Sequence, residues 1–172
     1  MTTPEFSRPV DLRQITAAPL TLVATPEERA ALTARFELVR IDRLEASVSL
    51  EADGAVVAVT GRLHADWIQP CAVSGEDLAQ SADEAIDLRF VPARSDHRPD
   101  EEVDLSESEL DELEYTGTAF DLGEAVAQSL ALAIDPFAAG PQAEAARKAA
   151  GIVSQGQASP FAALAGLTPK KD

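Results

Sequence analysis

The chain has 172 residues, 45% hydrophobic but only 5% aromatic, and a formal net charge of −16. That length suits one domain with tails, and that composition supports a core built mostly of Val, Leu, Ile and Ala. The charge argues against a protein that grips nucleic-acid phosphates or an anionic membrane and suits a basic protein partner. The single cysteine, Cys71, excludes an intramolecular disulfide and a Cys-rich zinc site.

Residues 1–20 carry Pro4, Pro9 and Pro19 around the apolar Val10, Leu12 and Ile15. This reads as an edge strand, since proline cannot donate to a central ladder. Thr25-Pro26-Glu27-Glu28 marks a helix start: Thr25 at the N-cap, Pro26 in the first turn and Glu28 closing a capping box. Ala31, Leu32, Ala34, Arg35 and Phe36 follow at helical density, so a helix is expected over 26–35.

The clearest β signal comes next. Leu44, Ala46, Val48 and Leu50 alternate with polar residues, and Asp53-Gly54 predicts a tight hairpin. The return strand places Val57, Val59, Leu63, Ala65 and Trp67 on one face and Arg62, His64 and Asp66 on the other, with Gly61 marking a bulge or bend. A third strand carries Leu78, Gln80, Ala82, Glu84, Ile86, Leu88 and Phe90 on one face.

Between Asp96 and Glu114 stand ten carboxylates and one base, Arg98, leaving 20 acids and 13 bases, a net −7, for the rest of the chain. Such a run reads as a solvated loop over 92–119 or as an acidic segment that contacts a partner. Asp121 then caps a second helix, whose stripe of Leu122, Ala125, Val126, Ser129, Leu130, Ala133 and Ile134 must be buried on the sheet. Pro136 ends that helix near Asp135. Residues 141–150 form a candidate short helix, 151–159 a linker, and 160–167 a small apolar module before Lys170-Lys171.

The expected fold is therefore α+β. A curved antiparallel meander, coiled enough to approach a barrel, carries two packed helices, an acidic loop and a flexible C-terminal tail. The domain is expected over 1–137, with an extension over 138–172. The N-terminus has no apolar run, and residues 125–134 are too short and too interrupted to span a bilayer. With one thiol, the expectation is a cytoplasmic protein.

Several blocks, in order, resemble the YceD family of large-subunit ribosomal RNA accumulation proteins. They are Phe120-Asp121-Leu122-Gly123-Glu124-Ala125-Val126, then residues 130–137 running into Pro136, then Gly61-Arg62-Leu63 through Gln69 and Cys71, and Pro160-Phe161-Ala162-Ala163-Leu164. Phe6-Ser7-Arg8-Pro9-Val10, with Glu28-Arg29 and residues 32–36, looks like the form seen in alphaproteobacteria. The family-motif positions are thus Gln69, Cys71, Asp121, Leu122, Gly123, Glu124 and Pro136. Many relatives carry Cys-x-x-Cys where this chain has Cys71-Ala72-Val73-Ser74, and some carry cysteines where it has Phe137-Ala138-Ala139-Gly140, so chemistry based on such pairs is not available here.

The resemblance implies a non-enzymatic role in ribosome biogenesis, favouring synthesis, processing or stability of 23S ribosomal RNA. A basic ribosomal protein or a pre-ribosomal particle is the expected partner, with neither DNA nor membrane among the partners and no cofactor. Dense carboxylates at Asp100, Glu101, Glu102, Asp104, Glu107, Glu109, Asp111 and Glu112 can imitate a phosphate backbone and screen such a partner. Direct RNA contact would use Arg29, Arg35, Arg40 and Arg43, with Lys170 and Lys171 on the tail. Two readings compete. One is a hydrolase or nuclease using His64, Asp66 and Cys71, with His97 as a second histidine. The other is a structural adaptor unrelated to ribosomes. Asp121 and Glu124 can be read as a carboxylate pair for acid–base work, but their spacing fits N-capping just as well, and capping is the commoner reason for it. The acidic run lacks the central glycine and oxygen spacing of an EF-hand, so no metal site is expected.

Overall fold

The computed structural model describes residues 5–93 and 112–152. They divide into two compact units, one holding residues up to Gln69 together with 79–135, the other Pro70–Leu78 and the chain from Pro136.

The first unit is built on a five-stranded sheet, order β2-β3-β4-β5-β6. Its strands are β2 (Leu20–Val23), β3 (Arg40–Asp53), β4 (Val56–Pro70), β5 (Asp77–Pro92) and β6 (Glu112–Tyr115). β2 pairs antiparallel with β3, and β3 with β4. The hairpin's central residues are Gly54 and Ala55, one position later than Asp53-Gly54. Asp53 pairs with Val56, and Gly54 takes φ 63°, as the first position of a primed turn requires.

Alternation decides which face is buried. Leu44, Ala46, Val48 and Leu50 from β3 and Val57, Val59, Leu63, Ala65 and Trp67 from β4 form the core, joined by Ile86 and Phe90 from β5. Gly61 lies in regular register opposite Val48, and the pairing shifts instead between Ile41 and Arg43. A Cβ at Gly61 would stand 2.1 Å from Ser47 O, so the glycine permits a close approach of strands rather than a bulge.

Three expectations are corrected. The sheet is open, not closed toward a barrel, with β2 and β6 at its edges. It is mixed, because β6 runs parallel to β5, pairing Phe90 with Leu113 and Pro92 with Tyr115. The end of the stretch 92–119, read as an acidic loop, contains strand β6 and the first residue of β7 (Ala119–Asp121). β7 pairs with β1 (Pro9–Asp11) in a separate two-stranded ribbon, so the N-terminal strand joins this ribbon while β2 takes the sheet edge.

Helix α1 (Pro26–Arg35) matches its expected bounds, and the Thr25–Glu28 capping box is complete. Its C-terminal end closes with Leu38 N–H donating to Thr33 O and Glu37 at φ 54°. Helix α2 (Leu122–Ala133) buries Leu122, Ala125, Val126, Ala127 and Leu130 in the same core as the strands. The second unit carries the short helix α3 (Ala143–Ala149). Among the described residues, no helix is long and apolar enough to cross a membrane.

Candidate functional site

The start of α2 is built around one carboxylate. Asp121 Oδ1 accepts from the amides of Gly123 (3.0 Å), Glu124 (3.2 Å) and Arg8 (2.8 Å), and Oδ2 from Ser7 Oγ (2.5 Å). These bonds cap the helix and tie the N-terminal segment to it. Leu122 N–H donates to Arg8 O. Gly123 is buried, and a Cβ there would lie 2.6 Å from Phe6 O and 2.8 Å from Arg8 N. Glu124 binds both guanidinium nitrogens of Arg35 at 2.8 Å. Hydrogen bonding from Arg35 holds the Glu124 carboxyl below its ordinary range. Asp121, Leu122, Gly123 and Glu124 therefore have a shared structural reason: they fix the helix start against the N-terminal segment.

Gln69 is the buried polar residue at the end of β4 in this unit. Its Oε1 accepts from Trp67 Nε1 at 2.7 Å, and its Nε2 donates to Asp135 O at 2.6 Å. A buried amide must be satisfied on both ends, and here it links β4 to the residue preceding Pro136.

In the second unit Cys71 is buried, its sulfur accepting from Ser74 N (3.3 Å) and Gly140 N (3.4 Å). Hydrogen bonding from the Ser74 side chain, then from the amides of Ser74, Gly140 and Val73, pulls the thiol down to about 6. Pro136 lies exposed in the same unit.

The four candidate arginines are all engaged by the chain itself. Arg29 donates to Ala24 O at 2.8 Å, Arg35 pairs with Glu124 and Glu5, Arg40 with Asp42 at 2.8 Å, and Arg43 with Glu45. His64 lies half-exposed on the outer face of β4, 3.6 Å from Asp83, which also binds Arg62. Asp66 is half-buried on that same outward set, opposite Arg43 in the register. No cluster of three or more His, Cys, Asp or Glu able to hold a metal occurs among the described residues. Glu112 sits in β6 and pairs with Arg89 at 3.3 Å. Asp100, Glu101, Glu102, Asp104, Glu107, Glu109 and Asp111, with His97, Lys170 and Lys171, lie outside the described residues.

The pairing of β6 with β5 and of β7 with β1 also accompanies a feature the sequence reading missed: an open groove of about 160 Å³ beside the start of α2, with Phe90, Tyr115 and Phe120 among its lining. Tyr115 donates from its hydroxyl to Ala55 O at 2.5 Å. Trp67 and Phe90 read as plain core from alternation. Nothing in sequence spacing announces that Phe90 meets Phe120.

The family described as large ribosomal RNA subunit accumulation protein YceD matches residues 59–168, more than half of the chain. The chain belongs to the YceD family. No curated protein and no solved structure matches it. The seven positions read from the sequence as family-like and the acidic run fall inside the matched span, whereas Arg29, Arg35, Arg40 and Arg43 precede it.

Proposed function

We propose that this YceD-family chain is a non-enzymatic factor in ribosome biogenesis that promotes accumulation of 23S ribosomal RNA in the cytoplasm. It does so by binding a basic ribosomal protein or a pre-ribosomal particle. Family membership supports the ribosomal role. The observation that carries the choice of partner is electrostatic: the arginines that would hold phosphates are committed to carboxylates or a carbonyl of the same chain. The net charge of −16 repels RNA and attracts cationic protein. The carboxylates at 100–112 provide steering, and by occupying a basic surface they keep it soluble until RNA takes their place.

The test is capture of partners from bacterial lysate by the full chain, at low and high salt, with and without nuclease. Basic large-subunit proteins that survive nuclease support the proposal. Ribosomal RNA that is lost on nuclease treatment, and on charge reversal of Arg29, Arg35, Arg40 and Arg43, replaces it with direct RNA binding. Failure to co-sediment with ribosomal particles at any salt leaves a structural adaptor. The hydrolase reading draws no support from His64, which sits on a solvent-facing strand surface, or from Cys71, which is buried.

A further inference from the structure

The segment 5–12 is held to the first unit more by charge than by apolar area. Phe6 is its one fully buried side chain, and Val10 and Leu12 are only partly covered. Its strand β1 makes three residue pairs with β7, and a two-stranded ribbon is marginal in water by itself. The remaining fastenings converge on carboxylates of the two helices. Glu28, in the first turn of α1, binds both guanidinium nitrogens of Arg8 at 2.6 and 2.9 Å. Arg8 reaches on to Val23 O at 3.2 Å and lies 4.6 Å over the Phe6 ring. Asp121 holds Ser7 and the Arg8 amide. Arg35 joins Glu5 of the segment to Glu124 of α2.

These fastenings depend on ionised carboxylates. Arg8 faces Glu28 and Asp121, Arg35 faces Glu124 and Glu5, and Asp121 and Glu124 face each other as like charges. Thr25 and Gln128 complete the polar surroundings of Glu28 and Glu124. Hydrogen bonding from Arg8 holds the Glu28 carboxyl below its ordinary range, as Arg35 does for Glu124. Stabilisation from a depressed carboxyl is fully present above its unfolded pKa and is lost as pH falls through its folded pKa. A proton on Glu28 also leaves a partly buried guanidinium without its counter-charge. The sheet answers acid differently. Its buried face, from Leu44 to Trp67, is apolar and does not titrate, and its exposed ion pairs contribute little.

We propose that residues 5–12 form a charge-locked strap, which acid releases from the first unit while the sheet stays folded. Release opens the β1–β7 ribbon and uncovers β7 and the first turn of α2, so the strap controls access to both.

The experiment lowers the pH of the full-length, isotope-labelled chain and follows two readouts. Backbone amide signals of Ser7, Arg8, Leu12 and Gly123 report the strap. Fluorescence of Trp67, the single tryptophan, buried in β4, reports the sheet. The strap signals move to unfolded positions at a higher pH than the Trp67 transition. Glu28→Gln keeps the capping-box acceptor and removes the charge, so at neutral pH it speeds hydrogen exchange at the Arg8 and Leu12 amides by about tenfold, the effect of losing a charge-assisted bond. Exchange at Leu63, in the centre of the sheet, stays as in the wild-type chain. Glu27→Gln removes the same charge from the neighbouring, exposed position of α1 and leaves strap exchange unchanged. Coincident strap and Trp67 transitions in the wild-type chain would overturn the strap. So would equal acceleration by the two variants, or acceleration at Leu63 as large as at Arg8.

Discussion

At Cys71 a buried thiol accepts several hydrogen bonds, with the Ser74 side chain the strongest influence, and its pKa falls to about 6. An unfolded cysteine titrates at about 8.5, so the folded state holds the thiolate through the window between those values. There the unfolded chain binds a proton that the folded chain has lost, so this group's contribution to stability rises with pH. It is fully present above the unfolded pKa and disappears as pH falls through about 6. Because Cys71 is the one cysteine, thiolate absorbance reports it alone. The expected titration has its inflection near 6 in the folded chain, returns to the ordinary range in urea, and moves upward in Ser74→Ala. Gly123 makes a different demand, for space. Its missing Cβ leaves room for the backbone of Phe6 and Arg8, which cannot rotate aside as a side chain can. Gly123→Ala is expected to destabilise the first unit by about 1–3 kcal/mol in urea unfolding, through overpacking. The sequence offered Gly123 only as a motif position. Its reason lies in a segment more than a hundred residues earlier.

Elements whose signals are local were legible. Thr25, Pro26 and Glu28 define the start of α1 within four residues, and the capping box forms as read. The β3 and β4 alternation identifies the buried face because a strand's period of two leaves no alternative once one face is apolar. The end of α1 was not legible. Glu37 adopts φ 54° where glycine is the usual closing residue, since a Cβ is penalised in left-handed geometry. Glu37→Gly is therefore expected to raise the unfolding free energy by about 0.5–1 kcal/mol, readable as a higher urea midpoint at unchanged slope. The acidic stretch misled at its end. Glu112 and Glu114 flank Leu113 in β6, and charge density hid a strand whose parallel partner, β5, becomes visible only in three dimensions. Parallel pairing needs a long crossover connection, so no hairpin signal announces it.

Across the whole molecule, charge governs what the chain meets. Replacing Asp100, Glu101, Glu102, Asp104, Glu107, Glu109 and Asp111 by their amides is expected to slow association with a basic large-subunit protein by about tenfold at low salt. The difference should shrink toward nothing at high salt, as stopped-flow binding at two ionic strengths would show. A slowing that persists at high salt would mean that these residues make contacts rather than steer. By itself the sequence determined the α+β class, both long helices, the meander's buried face, the acidic balance and the family resemblance. Each of these rests on periodicity, on a cap spanning a few residues, or on composition. Only the tertiary structure decided the open, mixed sheet, the β1–β7 ribbon, the commitment of every candidate arginine to a partner within the chain, and the aromatic groove. Arg29 with Ala24, Arg40 with Asp42 and Arg43 with Glu45 are near neighbours in the chain, but the rest depend on residues far apart in sequence, such as Arg35 with Glu124 and Phe90 with Phe120, whose meeting no local pattern encodes.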